Sequence, residues 1–357
     1  MRQQVCIEGR VWIVAAILLT LCQPQQAQQN VTKSQTNAPQ QPRSESTKQA
    51  PISPAAQPSS DPQPQIAPAF GTLLKKSVAF LTVDYQYGST SGQFRGTAFF
   101  VLYEDKRLGD NRGFGYLVTN RHMAEPKIDG HQVFVRQVSL RLNMQPAPGT
   151  SQSLEGELSL GSNIPWYFPT DEGVDLAVIP LNLDQSKVDY LPFPVSLFAT
   201  KDIIKSQNIA EGDSVLFAGF FYQFPGQKMI EPIVRQGILA MMPNETLTTT
   251  LEKPGNLYLA DAHVFGGNSG SPMWVNVEGF RGGMMVAGGF PYRLLGVVSG
   301  YFFESSDFKL QIATTVSGTS NANSGISLVV PADELKALLD RPELQRIRDA
   351  VVAQPQD

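Results

Sequence analysis

The sequence has few of the residues that crosslink a chain or bind a metal. Only two of its 357 residues are cysteine, Cys6 and Cys22, and both lie near the N-terminus. The rest of the chain can therefore form no disulfide and no thiolate metal site, and its stability must come from packing. The three histidines, His122, His131 and His263, lack the short spacing of a helical zinc motif. These shortages argue against metal catalysis.

The chain also lacks a strong excess of charge of either sign. Lysine and arginine together number 28, aspartate and glutamate 32, and the formal net charge is −4. No dense block of basic residues occurs, whereas a nucleic-acid-binding surface carries one. The composition therefore predicts no nucleic-acid partner.

Residues 1–27 have the pattern of an export signal. Arginines precede an apolar run at 11–21, and the small residue Ala27 follows in a polar stretch. The run is shorter than the ~20 residues that span a bilayer. We predict a secreted or periplasmic protein. The alternatives are an uncleaved membrane anchor and lipidation at Cys22, and membrane association would require one of them.

Residues 28–69 are rich in Gln, Pro, Ser and Thr and contain no aromatic residue. Such a segment cannot bury enough apolar surface to offset its conformational entropy, so we predict a disordered linker. From residue 70 onward, short apolar runs predict many strands. These runs are 78–83, 97–102, 116–119, 133–135, 176–179, 215–220, 233–239, 257–259, 284–287 and 295–298. The pattern predicts an all-β domain at 70–357, and the leucine spacing after Pro331 predicts one C-terminal helix at 332–352.

Two segments place a titratable side chain at the end of a predicted strand. His122 follows the apolar run at 116–119, where it could act as a general base, and Asp175 directly precedes the run at 176–179. Either residue alone is typical of an ordinary structural position. His131 is the rival base, and Asp171 and Glu172 are the rival acids; all three lie in turn-like sequence.

The third segment, residues 266–272, reads Gly-Gly-Asn-Ser-Gly-Ser-Pro. Glycines on both sides of Ser269 permit positive φ angles, which expose the hydroxyl and nearby N–H groups to a bound carbonyl. In isolation such a string predicts only a turn between strands. Together with His122 and Asp175 it predicts a nucleophilic serine, because the three residues supply a nucleophile, a base and an acid that orients the base.

These segments resemble the three catalytic boxes of chymotrypsin-clan serine peptidases, which occur in the same order along the chain. The stretch at 94–101 is similar to the strand before the histidine in bacterial HtrA-like and glutamyl-endopeptidase-like enzymes, and 326–331 resembles their last strand. The resemblance implies two six-stranded antiparallel β-barrels of the trypsin-like fold, at about 72–200 and 205–331. The 26 residues of the sequence after Pro331 are too few for a PDZ domain, so we expect none there.

The resemblance also implies a serine endopeptidase that acts on protein or peptide substrates and needs no cofactor. Ser269 would be the nucleophile, His122 the general base and Asp175 its orienting acid, and the N–H groups of Gly267 and Ser269 would form the oxyanion hole. The alternative is a fold of this type that has lost catalysis and serves as an exported binding or scaffold module.

Two departures from the digestive enzymes bear on regulation and specificity. Asn268 stands where those enzymes have an aspartate that pairs with a new N-terminal amine, so we predict no activation of that kind. His263 occupies the base of the primary specificity pocket by count, which disfavours a preference for Arg or Lys. Val298, Ser299 and Gly300 are expected to form the edge strand that pairs with substrate backbone.

Overall fold

The structure is a computed structural model that describes residues 69–150, 153–286, 289–311 and 315–353. The predicted signal peptide at 1–27, both cysteines and nearly all of the linker at 28–69 lie outside the described residues. No helix in the described ranges is both long enough and apolar enough to cross a membrane.

The described chain is mostly β-strand with a few short helices. The helices are α1 (Phe70–Lys76), α2 (Arg121–Ala124), α3 (Lys201–Ser206), α4 (Ala332–Leu339) and α5 (Pro342–Val352). The strands of the first half are β1 (Val78–Tyr87), β2 (Thr90–Glu104), β3 (Gly113–Thr119), β4 (Lys127–Ile128), β5 (His131–Gln132), β6 (Phe134–Asn143), β7 (Glu155–Gly161), β8 (Ala177–Pro180) and β9 (Phe193–Pro194). Those of the second half are β10 (Ser214–Gly219), β11 (Ile233–Met241), β12 (Leu247–Thr248), β13 (Pro254–Gly255), β14 (Tyr258–Asp261), β15 (Pro272–Asn276), β16 (Gly279–Arg281), β17 (Met284–Val286), β18 (Tyr292–Gln311) and β19 (Thr315–Pro331). Each predicted strand overlaps one of these.

The second half forms a closed barrel of six strands in the order β10-β11-β14-β19-β18-β15. Alternate residues of these strands point inward, and a buried cluster that includes Phe217, Met273 and Val298 fills the interior. Strands β18 and β19 form a long hairpin whose pairing continues from Gly296↔Pro331 to Gln311↔Thr315. Strand β10 of this barrel contacts β1 and β2 of the first half.

The first half is a seven-stranded sheet in the order β7-β6-β1-β2-β3-β8, with β9 added in parallel to β2. Of the two six-stranded barrels predicted, the described residues show only the second as closed, since no ladder joins β7 to β8 in this half. Strand β8 is only four residues long. Its edge away from β3 is paired with the backbone of Tyr167, through two hydrogen bonds with Val178 of 2.9 and 3.0 Å. That edge is thus covered without closing the sheet.

The predicted C-terminal helix at 332–352 is two helices, α4 and α5. The break falls at Asp340 and Arg341, directly before Pro342. Proline has no N–H group and its ring clashes with the preceding turn, so it begins α5 and cannot lie inside one continuous helix. The leucines of both helices remain buried in the core, which is why their spacing gave one helical pattern.

The first helix, α1, joins the two halves through one aromatic ring. Phe70 stacks on Tyr292 with ring centroids 4.0 Å apart, and its edge contacts Trp274 at 5.5 Å. On the side of the first sheet it lies 5.9 Å from Phe193. These residues belong to or pack against one hydrophobic cluster that spans both halves, so the relative position of sheet and barrel is fixed by packing.

Arg348 anchors α5 to the first sheet. Its guanidinium is 97% buried, donates 2.9 Å hydrogen bonds to the Tyr116 hydroxyl and the Leu339 carbonyl, and lies 3.9 Å from the centre of the Tyr103 ring. We expect Arg348→Ala to lower the free energy of unfolding by about 3 kcal/mol, since it removes two charge-assisted hydrogen bonds and a stacked cation. Urea denaturation measures the change.

The matched control is Arg346→Ala on the same helix. Arg346 is exposed and bonds only the Pro342 carbonyl, at 3.2 Å. Its loss is expected to change stability by less than about 0.5 kcal/mol. Equal losses in the two variants would contradict the anchoring role of Arg348.

Candidate active site

Strand pairing brings His122 and Asp175 together. Strands β3 and β8 are antiparallel with Thr119 opposite Ala177, so the residues after β3 lie beside the residues before β8. His122 stands on the short helix α2, and its Nδ1 lies 2.7 Å from Oδ2 of Asp175. Its backbone N–H also donates to Oδ1 of the same carboxylate at 3.0 Å. Both oxygens of Asp175 thus hold the histidine.

Asp175 is fully buried, yet its carboxylate is well supplied with donors. Besides His122, Oδ2 accepts hydrogen bonds from the hydroxyls of Ser299, at 2.5 Å, and Thr250, at 2.8 Å. Burial raises the pKa of the Asp175 carboxyl. The charge of His122 and the hydrogen bonds from His122 and Ser299 lower it by more, so the pKa lies below its ordinary value. The carboxylate is therefore ionised at neutral pH.

The same pair sets the protonation of His122. Burial lowers the pKa of the His122 ring, but the charge of Asp175 and its hydrogen bond outweigh this, so the pKa lies above its ordinary value of 6.5. Since Asp175 holds Nδ1, the ring nitrogen that remains for other chemistry is Nε2. The pair has the arrangement of a general base and the carboxylate that orients it.

Ser269 lies on the loop between β14 and β15, and this loop packs against the first sheet. Its carbonyl accepts from the Thr97 N–H of β2 at 2.8 Å, and the Gly270 N–H donates to the Val298 carbonyl of β18, also at 2.8 Å. Gly270 has φ +86°, and a Cβ there would lie 1.9 Å from the Thr97 carbonyl oxygen. Only glycine permits this close approach, so the loop sequence positions Ser269.

The loop and the histidine pack on the same glycine of β2. A Cβ at Gly96 would lie 2.9 Å from the Met123 Cε and 3.2 Å from the Ser269 carbonyl oxygen. Met123 directly follows His122 on α2. Ser269, His122 and Asp175 therefore belong to one site at the boundary between sheet and barrel.

The serine hydroxyl itself does not bond the histidine. Ser269 Oγ donates to the Ser299 carbonyl at 3.2 Å, and none of the described hydrogen bonds joins it to the His122 ring. Ser299 therefore bridges the site, since its hydroxyl binds Asp175 and its carbonyl binds Ser269. Nucleophile–base hydrogen bonds are often formed only when substrate is bound, so this geometry leaves the predicted roles open.

Asn268 holds the loop through its side-chain amide. Its Oδ1 accepts from the Phe265 N–H at 2.9 Å, and its Nδ2 donates to the Phe220 carbonyl at 2.8 Å. The side chain is 98% buried. A neutral amide thus braces the loop here, with its oxygen as acceptor and its nitrogen as donor.

The N–H groups of Ser269 and of Gly267, two residues before it, have no acceptor among the described residues. Gly267, with φ +98°, and Ser269 donate to no group there, whereas Asn268, Gly270 and Ser271 each donate to a carbonyl at 2.8–3.0 Å. Free N–H groups flanking a serine are what an oxyanion hole requires. The prediction that Gly267 and Ser269 supply it stays a prediction.

The predicted substrate-binding residues differ in their environments. Val298 is fully buried in the barrel core, and its N–H and carbonyl bond Ser271 and Gly270 at 2.9 and 2.8 Å. These backbone groups support the serine loop, and the prediction that Val298 binds substrate stays a prediction. Ser299 is also buried, and its hydroxyl serves Asp175. Gly300 is half-buried and pairs with Leu328 of β19.

His263 is exposed and lies beside Gly325 of β19. A Cβ at Gly325 would lie 3.2 Å from the ring Cε1, and the His263 carbonyl accepts from Arg235 at 3.1 Å. Its predicted place in the specificity pocket stays a prediction. A cavity of about 620 Å³ lies on another side of the site and is lined in part by Arg95, Tyr222, Phe265 and Gly267.

The rival residues have other contacts. His131 is exposed on the short strand β5. Asp171 accepts from the Gly173 N–H at 2.8 Å, and Glu172 pairs with Lys253. Sequence reasoning missed Thr250 as a donor to Asp175, and no local pattern in Thr248-Thr249-Thr250 distinguishes it. The described residues contain no group of three or more side chains suited to hold a metal ion.

Comparison with known proteins gives a distant likeness among solved structures. The sequence matches no known protein family and no curated protein at a significant level. Among solved structures, the fold is similar to that of the HtrA-type protease AlgW with a decapeptide, at a TM-score of 0.40 and 15% identity over 75% of this chain. The alignment spans 64% of that protease chain.

Proposed function

We propose that this protein is a serine endopeptidase that hydrolyses peptide bonds in proteins or peptides. The observation that carries the proposal is the ionised, fully buried Asp175, whose carboxylate binds Nδ1 of His122 at 2.7 Å in the site that contains Ser269. Perturbed groups of this kind, here a buried carboxylate against a largely buried imidazole, cluster at catalytic sites. The proposed substrates lie outside the cytoplasm, in line with the predicted export signal.

The proposed reaction begins when Ser269 Oγ leaves the Ser299 carbonyl and turns to Nε2 of His122. Oγ forms a bond to the substrate carbonyl carbon while Nε2 takes the hydroxyl proton, and the carbonyl oxygen becomes an oxyanion. The N–H groups of Gly267 and Ser269 would stabilise that oxyanion, each worth about 10²- to 10³-fold in rate. Asp175 keeps the proton of His122 on Nδ1 and stabilises the imidazolium.

The second half of the reaction restores the enzyme. The imidazolium donates its Nε2 proton to the leaving amine as the C–N bond breaks, which leaves an acyl group on Ser269. A water molecule then attacks the acyl carbon, His122 takes the water proton, and that proton returns to Oγ as the acid product leaves. Every proton transfer involves Nε2, so no metal or cofactor enters the scheme.

Labelling with a fluorophosphonate tests the proposal on the wild-type protein. The reagent should add to Ser269 alone, as located by mass spectrometry of the digested protein. The labelling rate should rise with pH through the pKa of His122, because only the neutral ring can accept the serine proton. Since that pKa is raised, the midpoint is expected above 6.5. A flat profile or a midpoint below 6.5 would contradict the role of His122.

The rival function is an exported binding module without catalysis. It is favoured by the hydrogen bond of Ser269 Oγ to the Ser299 carbonyl, which leaves the serine apart from the base. Such a protein would fold and resist reaction with fluorophosphonate at every pH. Denatured wild type serves as the control for non-specific reaction, because the active-site geometry is absent there.

A further inference from the structure

Asp175 has a donor that comes from an unexpected part of the chain. Thr250 lies in the loop between β12 and β13, which precedes the β14 strand leading to Ser269. Its Oγ1 is 2.8 Å from Oδ2 of Asp175 and 2.7 Å from Oγ of Ser299. Asp175 Oδ2, Thr250 Oγ1 and Ser299 Oγ thus form a triangle of mutual contacts. The other carboxylate oxygen, Oδ1, accepts the hydrogen bond from the His122 backbone.

The hairpin that carries Thr250 is locked to the turn that precedes Asp175. A Cβ at Gly173 would lie 2.1 Å from the Pro254 carbonyl oxygen, and a Cβ at Gly255 would lie 2.9 Å from the Gly173 carbonyl oxygen. Lys253 forms an ion pair with Glu172 next to this contact. Gly173 and Gly255 therefore allow the hairpin to pack closely against the turn that precedes Asp175. This contact fixes the position of Thr250 relative to Asp175.

Thr250 covers the Asp175 carboxylate with its hydroxyl group. The residue as a whole is exposed, while its hydroxyl points to a carboxylate that solvent does not reach. Its methyl group packs toward β18, where a Cβ at Gly300 would lie 2.6 Å from it. The side chain thus separates Asp175 from solvent at the boundary between hairpin and barrel.

The two hydroxyls have two protons for three short oxygen–oxygen contacts. If both protons pointed to Asp175, the 2.7 Å contact between Thr250 and Ser299 would have no proton between its oxygens. Two protons fill two of the three contacts: either both hydroxyls donate to Oδ2, or one donates to the other and the second donates to Oδ2. Thr250 therefore acts on Asp175 as a direct donor or through Ser299, whose bond to Oδ2 it then strengthens.

We propose that Thr250 is a positioning residue that sets the orientation and charge of Asp175 and, through it, the basicity of His122. The inference rests on the proposed function for its catalytic consequence. Each additional hydrogen bond to the Asp175 carboxylate weakens the bond that the carboxylate accepts from Nδ1 of His122. Without the Thr250 hydroxyl, Oδ2 would stabilise the imidazolium more strongly, and the carboxylate would be less well fixed.

The test compares Thr250→Val with Thr250→Ser in the full chain. Valine keeps the methyl group against Gly300 and removes only the hydroxyl, whereas serine keeps the hydroxyl. We expect Thr250→Val to lower kcat about tenfold, the scale of one lost hydrogen bond to a charged group, with little change in KM. The rising limb of its pH profile should move to higher pH, and Thr250→Ser should restore both values. Thr248→Val, on an exposed neighbour in β12, is the matched control.

A spectroscopic readout separates this inference from the proposed function. The chain has only three histidines, so ¹⁵N-labelled His122 can be assigned by replacing His131 and His263 in turn. Its pKa should be higher in Thr250→Val than in wild type or Thr250→Ser, whether or not the protein turns over a peptide. An unchanged His122 pKa in Thr250→Val would overturn the inference. So would a loss of kcat that serine fails to restore, because that result indicates a merely structural role.

Discussion

Replacing Ser269 with alanine is expected to lower kcat on a protein substrate by about 10⁵- to 10⁶-fold and to abolish fluorophosphonate labelling. The reason is that the proposed acyl-enzyme needs the Oγ atom of Ser269, and alanine has no atom that could replace it. Some rate above the uncatalysed reaction should remain, because those N–H groups would still bind the oxyanion. Steady-state hydrolysis of casein and labelling by mass spectrometry measure the two effects.

The comparison variant is Ser271→Ala, two residues further along. The Ser271 hydroxyl is buried and has no hydrogen-bond partner among the described residues, so its removal leaves no group unpaired. This variant should still be labelled. If Ser269→Ala retained turnover while its circular dichroism matched wild type, the serine mechanism would be wrong.

Replacing Asp175 with asparagine is expected to lower kcat by about 10⁴-fold at neutral pH. An amide group can donate to Nδ1, which favours the tautomer with its proton on Nε2, and that nitrogen could then no longer accept the serine proton. The pH dependence should change as well. With the carboxylate gone, burial alone acts on the ring and lowers the pKa of His122, so the midpoint should move below that of wild type.

Asp171→Asn is the matched control, since the same chemical change is made four residues earlier. The Asp171 carboxylate accepts one hydrogen bond from the Gly173 N–H, at 2.8 Å, and an asparagine oxygen can accept the same bond. Its kcat and its pH midpoint should therefore stay close to wild type. Comparable losses in the two variants would show that Asp175 has no special role.

The pairing of His122 with Asp175 was predictable because each residue borders an apolar strand. A strand end is a fixed point in a sheet, and two antiparallel neighbours bring the end of one beside the start of the other. The turn around Ser269 was also predictable, since the positive φ and the close backbone contact at Gly270 require glycine. Local chemistry made these three positions candidates, and their order along the chain, which resembles that of the catalytic boxes of chymotrypsin-clan peptidases, selected them.

Other features had no local signal. Thr250 is one threonine in a run of three, and it becomes a donor to Asp175 only because its hairpin docks on the turn at Gly173. Ser299 was expected to pair with substrate through its backbone, and no local pattern indicated that its hydroxyl donates to Asp175. The short strand β8 and the backbone of Tyr167 leave the first sheet open, which the count of apolar runs did not show.

The sequence by itself determined the mostly β character of the chain, the positions of its strands, and the candidates His122, Asp175 and Ser269. These follow from side-chain periodicity and from the backbone needs of glycine, which are properties of neighbouring residues. Only the tertiary structure decided which half closes into a barrel, which hydroxyls bind Asp175, and that Ser269 bonds the Ser299 carbonyl. Those outcomes depend on contacts between residues 30 to 124 positions apart, for which no local pattern exists.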